Sequence, residues 1–183
     1  MTAKLISGTR IAKEVRAEVA EGVRALRDRH HGVTPGLAVV LVGDDPASAT
    51  YVRNKGRACE EAGIFSETFL LSADTSQAEL LALVRRLNDD SRFHGLLVQL
   101  PLPPQINESV VLLAVDPDKD VDGLHPFNVG KLATGAPVFV PCTPAGIQQL
   151  LLRSGYDLAS RMSWEVVVDD YLLPALDGAR RDR

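Results

Sequence analysis

Residues 37–42 and 95–100 are almost wholly apolar and rich in valine and leucine. A strand with one wet face alternates polar and apolar residues. An unbroken apolar run reads instead as a strand buried on both faces, as in a parallel sheet lying between layers of helices. The intervening chain has helical spacing. Ile11, Val15, Val19, Val23 and Leu26 recur every three or four residues with charged residues between them, which predicts one apolar stripe on a helix. Pro35-Gly36 breaks the chain before the first strand and Gly43 ends it. Asp45-Pro46 then opens a helix, with Asp45 as cap and Pro46 in the first turn; it is expected to run to about Ala62 and stop at Gly63. Residues 64–71 form the next strand candidate. Ser76 followed by Glu79 is a capping box, and Leu80, Leu81, Val84 and Leu87 give the helix behind it an apolar face. After the strand at 95–100, residues 108–115 predict a short helix. A second helix is expected from the Thr143-Pro144 cap, with Ile147, Leu150 and Leu151 as its face and an end near Gly155.

Strand, helix, strand, helix, strand in this order predicts right-handed βαβ units: an α/β fold of three layers, a mostly parallel sheet with helices on both faces. Ligands of such sheets gather outside the carboxyl ends of the strands. Gly43, Asp44 and Asp45, then Gln99, Leu100 and Pro101, and then residues 120–123 are therefore expected to meet at one edge. The last stretch is less regular: 164–168 is a strand candidate, Pro174 interrupts an apolar segment at 171–176, and 180–183 is expected to fray.

Composition narrows the functional classes. A chain of 183 residues with 45% apolar content suits one domain, or one domain plus a fragment, with a sizeable core. A net charge of −4 gives no basic footprint for nucleic acid. No apolar run is long enough to span a bilayer, and residues 1–11 show no leader pattern. Cys59 and Cys142 make no CxxC pair, so the expectation is a reduced, cytoplasmic protein. His30, His31, His94 and His125 have no metal-ligand spacing. Asp116, Asp118, Asp120 and Asp122 alternate before Gly123 and, counted from Asp118, fit the first positions of a calcium loop. The position that needs a bidentate glutamate is Val129, so no metal is expected. A solvated turn, or a carboxylate that binds a ligand's amine and ring nitrogen, remains. No G-x-G-x-x-G, G-x-x-x-x-G-K-[ST] or G-x-S-x-G run occurs.

Two features carry candidate chemistry. Tyr51 and Lys55 are one helical turn apart, just beyond a strand end, and share a face. A lysine in a cleft can lose water and act as an acid or base near neutrality. The same spacing equally fits a solvated lysine beside a packing tyrosine. Gln99 ends an otherwise apolar strand, where an amide must find partners; a backbone bond or the Lys55 amine would each serve.

Taken together, the segments resemble one family. Val42-Gly43-Asp44-Asp45-Pro46-Ala47-Ser48 followed by Tyr51-Val52 and Lys55 is similar to the first signature of the bifunctional methylenetetrahydrofolate dehydrogenase/methenyltetrahydrofolate cyclohydrolases. Val98-Gln99-Leu100-Pro101-Leu102-Pro103 resembles the second. Pro117, then Lys119-Asp120-Val121-Asp122-Gly123 with Asn128, Gly130 and Leu132, resembles the third. Pro141-Cys142-Thr143-Pro144 with Gly146 resembles the entry to the interdomain helix. The resemblance covers roughly residues 3–158. It implies a folate-binding catalytic domain over 1–142, an interdomain-type helix over 143–158 and a divergent tail over 159–183.

The resemblance also implies roles. Lys55 would handle protons in the cyclohydrolase step, Tyr51 would stack on the folate's aminobenzoyl ring, and Gln99 would bond Lys55 and help hold it uncharged. Asp122 would bind the pterin, Leu100 and Pro101 would line the substrate site, and Ser48 would support Lys55 or Tyr51. The partners implied are tetrahydrofolate derivatives and a second copy in the family's homodimer, with no nucleic acid or membrane. The cofactor implied is NADP, yet the Gly-Arg-Ser turn and glycine pair that would cradle its phosphates are not found after Leu158, where the chain runs Trp164-Glu165-Val166-Val167-Val168-Asp169-Asp170. The family's NAD(P) Rossmann domain is therefore expected to be absent, leaving at most weak cyclohydrolase activity. The alternatives are a non-catalytic folate-binding or truncated fragment and, third, a fragment that binds a partner through the surface a lost domain would expose.

Overall fold

Gly36–Val42 forms the central strand, β1, of a three-stranded sheet. The structure, a computed structural model, describes residues 5–155; the expectations for 164–168, 171–176 and 180–183, and for the tail from 159, lie outside them. Residues Ala12–Cys142 make one compact unit, and the described residues 5–11 and 143–155 belong to a second.

β1 pairs in parallel with Phe65–Leu71 (β2) on one side and Gly95–Val98 (β3) on the other, so the order is β2-β1-β3. Its alternate residues feed two separate dry layers. Ala38, Val40 and Val42 pack with Leu80, Val84 and Leu87 of the helix Gln77–Asp89 (α3) and Val111 of the helix Glu108–Ala114 (α4). Val39 and Leu41 pack on the other face with Leu97 and with Val52 of the helix Pro46–Ala62 (α2). Helices cover both faces, as the unbroken apolar strands predict.

The expected punctuation holds. Asp45 caps α2 through a bond from the Ser48 amide, and Gly63 closes it at φ 76°, its N–H and that of Ile64 returning to the carbonyls of Glu60 and Cys59. The carbonyl bond from Ile64 delays β2 to Phe65. The Ser76–Glu79 capping box is complete in both directions. β3 stops at Val98, two residues earlier than expected. Gln99 N–H still donates to Val40 O at 2.8 Å, but Pro101 has no amide hydrogen to continue the ladder.

Other elements differ more. The N-terminal helix Gly8–Arg29 (α1) buries Ile11 and Val23 of its stripe, while Val19 and Leu26 stay exposed. A helix not expected from the sequence, Pro126–Ala133 (α5), is capped by His125, whose Nδ1 accepts from the Phe127 amide at 3.1 Å. The last described helix, Cys142–Arg153 (α6), starts one residue before Thr143; Ile147 is exposed, while Leu150 and Leu151 are half-buried. Among the described residues no helix is long and apolar enough to cross a membrane.

The start of β1 is clamped to the start of β3. Gly36 N–H donates to His94 Nδ1 at 3.0 Å and the His94 amide returns to Gly36 O at 2.8 Å. A β-carbon at Gly36 would overlap the Arg92 carbonyl oxygen, which is backbone and cannot swing away. Ser76→Ala removes one cap, a loss of about 1 kcal/mol. Gly36→Ala must shift the sheet's edge, so its urea midpoint is expected to fall well below that of Ser76→Ala. Equal midpoints would mean that the clamp tolerates a side chain.

Candidate functional site

Two parallel strands starting at one end of a sheet also finish together, so the chain leaving β1 and the chain leaving β3 emerge side by side. Gly43, at φ 88°, turns the first away from the sheet, its N–H held by Leu71 O at 2.9 Å. The Asp45 carboxylate then receives the Ser48 amide at 2.7 Å. That bond, followed by one from the Ser48 hydroxyl, holds the Asp45 carboxyl below the usual aspartate range. Ser48 is 4% exposed and bonds Asp45, so it anchors the start of α2, whereas the sequence reading placed it on Lys55 or Tyr51. Val52 is buried under the sheet. With the helix pinned there, Tyr51 is 65% exposed and Lys55 half-buried.

Gln99 continues β3 by its backbone, and its side chain is fully committed. Nε2 donates to Leu100 O at 2.8 Å, which leaves Oε1 to accept from Lys55 Nζ at 3.3 Å. A carbonyl oxygen accepts from an amine and from an ammonium alike, so this bond fixes where the lysine nitrogen sits. Leu100 is half-buried and Pro101 exposed beside it, with a cis peptide between them.

The third segment runs alongside β3. Leu96 and Asp120 form a parallel bridge, and Leu96 N–H donates to Lys119 O at 2.7 Å. Consecutive side chains here go separate ways. Lys119 Nζ donates to the carbonyls of Leu87 and Asp90 at 3.2 and 3.0 Å, at the end of α3. Asp120, 4% exposed, accepts from the amides of Leu124 and His125 and from Asn128 Nδ2. Val121 packs into the second dry layer, against the space left by Gly95. Asp122 is half-buried, within the field of Lys55. Burial pushes its carboxyl above the usual range; Lys55 pulls it down and Asp120 adds to the rise. Burial likewise raises the Cys59 thiol, one turn beyond Lys55 on α2.

The three segments expected to share the carboxyl edge therefore do, and they bring Lys55, Gln99 and Asp122 together. The sequence reading gave Asp120 and Asn128 no separate part. Asn128 is 1% exposed, donates to Pro117 O and Asp120 Oδ2 at 2.9 Å each, and leaves Oδ1 buried without a partner, a cost of roughly 1–3 kcal/mol. The signal in the sequence is His125-Pro126, a cap and first-turn proline that place Asn128 in the first turn of α5. An apolar hollow of about 380 Å³ lined by Leu26, His30, Val33, Pro35 and His94 lies at the other end of the sheet, where Pro35 and His94 precede their strands. It offers few polar groups, His94 Nδ1 being taken by Gly36, so the carboxyl edge is the better candidate. Among the described residues no group of histidines, cysteines and carboxylates is arranged to hold a metal.

Comparison with known proteins shows what the chain is similar to. A family profile described as tetrahydrofolate dehydrogenase/cyclohydrolase, catalytic domain, matches residues 6–122. The Bifunctional protein FolD of Pelobacter propionicus is 57% identical over 166 residues, 91% of this chain and 57% of that protein. The protein of the same name from Moorella thermoacetica is 57% identical over 157 residues, 86% of this chain and 55% of its own length. A stretch of 166 residues reaches past Leu158 wherever it begins, so the likeness extends further than the signatures alone imply. Among solved structures, the Trypanosoma brucei methylenetetrahydrofolate dehydrogenase-cyclohydrolase, complexed with NADP cofactor and inhibitor, superposes with a TM-score of 0.82 at 39% identity, over 85% of this chain and 53% of that one. The bifunctional FolD enzyme of Campylobacter jejuni gives 0.78 at 45% identity, over 82% and 53%. The chain thus spans about half the length of the curated relatives it matches.

The raised Asp122 carboxyl has a consequence for stability. Its proton is held more tightly in the folded chain than in the unfolded one. The contribution is present in full below the ordinary value of 3.8 and is lost as pH rises through the higher folded value. Asp122→Asn does not titrate and escapes that loss. Urea unfolding across this range should show the variant gaining on the wild type as pH rises toward neutrality; a pH-independent difference would remove burial as the dominant influence.

Proposed function

Since the chain belongs to the tetrahydrofolate dehydrogenase/cyclohydrolase family, we propose that its Lys55 edge binds a one-carbon derivative of tetrahydrofolate and moves the proton needed for methenyltetrahydrofolate hydrolysis. The observation that carries this is the Lys55 Nζ to Gln99 Oε1 bond of 3.3 Å, made across two chain segments with the Asp122 carboxyl close by. A methenyl carbon between two nitrogens is electrophilic. Water adds to it and loses a proton to a base; as one C–N bond then opens, that nitrogen takes up a proton and the adduct's hydroxyl gives up its own, leaving a formyl group and one proton released overall. Lys55 is the group we assign to take and return the proton. Gln99 holds it in place, the exposed Tyr51 ring offers a face for the aminobenzoyl ring, and Asp122 offers a carboxyl to the pterin's amine and ring nitrogen. Leu100 and Pro101 line the same edge, and Ser48 anchors the helix that carries Tyr51 and Lys55.

The family's first reaction, oxidation of methylenetetrahydrofolate, passes a hydride to NADP. The sequence has no G-x-G-x-x-G or G-x-x-x-x-G-K-[ST] run, so we assign the nucleotide to no residue of this chain and draw no step through it. We also propose a reducing, cytoplasmic setting, which suits two cysteines that are both free.

A second reading, folate binding with little or no turnover, is favoured by the 65% exposure of Tyr51. A ligand on an open face is loosely positioned, and positioning alone is worth many powers of ten in rate. We accordingly place the chain's own cyclohydrolase activity at a weak level.

Lys55→Met separates the readings. Methenyltetrahydrofolate hydrolysis, followed by absorbance, is expected to be slow in the wild-type chain and absent in the variant, while tetrahydrofolate affinity stays within a few-fold. Persistent hydrolysis in the variant would defeat the assignment of Lys55. Binding with no hydrolysis in either protein would leave the second reading.

A further inference from the structure

We propose that Asp120 and Asn128 form a latch that positions Asp122, so that two aspartates close in sequence have separate tasks: Asp120 folds the loop and Asp122 alone faces the ligand. The inference rests on the folate reading above and assigns positioning residues to that site.

The geometry divides the carboxylates plainly. Asp120 Oδ2 accepts from the His125 amide at 2.8 Å and from Asn128 Nδ2 at 2.9 Å, and Oδ1 accepts from the Leu124 amide at 3.3 Å. With these three donors and 4% exposure it is turned into the loop and away from solvent. Asn128 supplies what Asp120 alone cannot. Its amide nitrogen bridges Pro117 O, before the loop, to Asp120 Oδ2, and so ties the start of the segment to α5 behind it. The amide oxygen is left buried without a donor.

The neighbours complete the frame. Lys119 is tied to the end of α3, Val121 is seated in a dry layer, and Gly123, at φ 65°, lets the chain turn beneath Phe139 and Pro141. Beyond the bridge with Leu96 the chain turns, the Gly123 N–H donating to Asp120 O at 3.2 Å, so fixing Asp120 anchors the first corner of the turn that carries Asp122. Asp122 is then presented beside Lys55 with no side-chain hydrogen bond to hold it there among the described residues. Freeing the latch would leave Asp122 chemically intact but no longer held in place.

A double-mutant cycle tests this on the full chain with tetrahydrofolate as the probe. Asp122→Asn is expected to weaken binding by about tenfold or more, the loss of one charge-assisted bond. Asn128→Ala should weaken it by a similar factor, and the double variant by no more than Asp122→Asn alone, because the latch acts only through Asp122. Asp120→Asn is the second variant should Asn128→Ala fail to fold. Losses that multiply, or full affinity in the folded latch variants, would overturn the proposal. A ligand-free readout keeps it separable from the folate reading: the Asp122 carboxyl, followed by carbon NMR through a pH titration, should move toward the ordinary aspartate value when Asn128 is removed. If tetrahydrofolate fails to bind the wild type, or Asp122→Asn binds as well as wild type, the folate reading falls and the titration decides the latch. An Asp122 titration unchanged in Asn128→Ala would end it.

Discussion

The parallel pairing of β1 with both of its neighbours is the constraint from which the rest of the structure follows. Each bond of that ladder needs dry surroundings to count, and β1 has them on both faces, with Ala38, Val40 and Val42 on one side and Val39 and Leu41 on the other. Two consequences are geometric. A parallel strand must be followed by a crossover, which places α2 and α3 on the faces. Strands that start together also end together, so the loops after β1 and β3 share an edge. The Gln99 N–H to Val40 O bond is the last rung of this ladder and the first element of the site.

At that edge some polar side chains are spent on the frame and others are left for the cleft. Gln99 spends its amide nitrogen on Leu100 O and turns its oxygen to Lys55. Asp45 and Ser48 spend themselves on the start of α2, and Lys55 is carried into place by that helix. Asp120 is consumed by the loop and Asp122 is left over. Lys55 and the partly desolvated Asp122 carboxyl act on each other, a pair whose balance shifts with whatever binds between or beside them. A site assembled this way is held by its supports and left open at Lys55 and Asp122.

Much of this was legible in the sequence, and the reasons are local. The α2 boundaries follow from Asp45, Pro46 and Gly63, each of which acts within one turn of itself. The β1 and β3 cores follow from unbroken apolar runs, and the α3 start from Ser76 and Glu79. What was missed depends on distant partners. The early end of β3 requires knowing that Gln99 is its last ladder residue and that Pro101 lies next. α5 is short, and its cap is a histidine, a weak signal beside serine or aspartate. Asp120 and Asp122 look alike in an alternating acidic stretch; only the donors of Leu124, His125 and Asn128 tell them apart. The stripe on α1 was a sound helical pattern but a poor guide to burial, since Val19 and Leu26 remain exposed.

Tyr51 and Lys55 illustrate how far spacing reaches. One helical turn between them fixes a shared face and nothing about its use. Meaning comes from Gln99, 44 residues away in sequence, whose amide oxygen lies 3.3 Å from the lysine nitrogen. Tyr51, Lys55, Gln99, Asp120, Asp122 and Asn128 all fall within Ala12–Cys142, a single compact unit. Their mutual geometry is therefore set by this unit's own ladder, caps and latch. The proposed folate chemistry rests on groups that all lie within this one unit, so it depends on the unit's own folding.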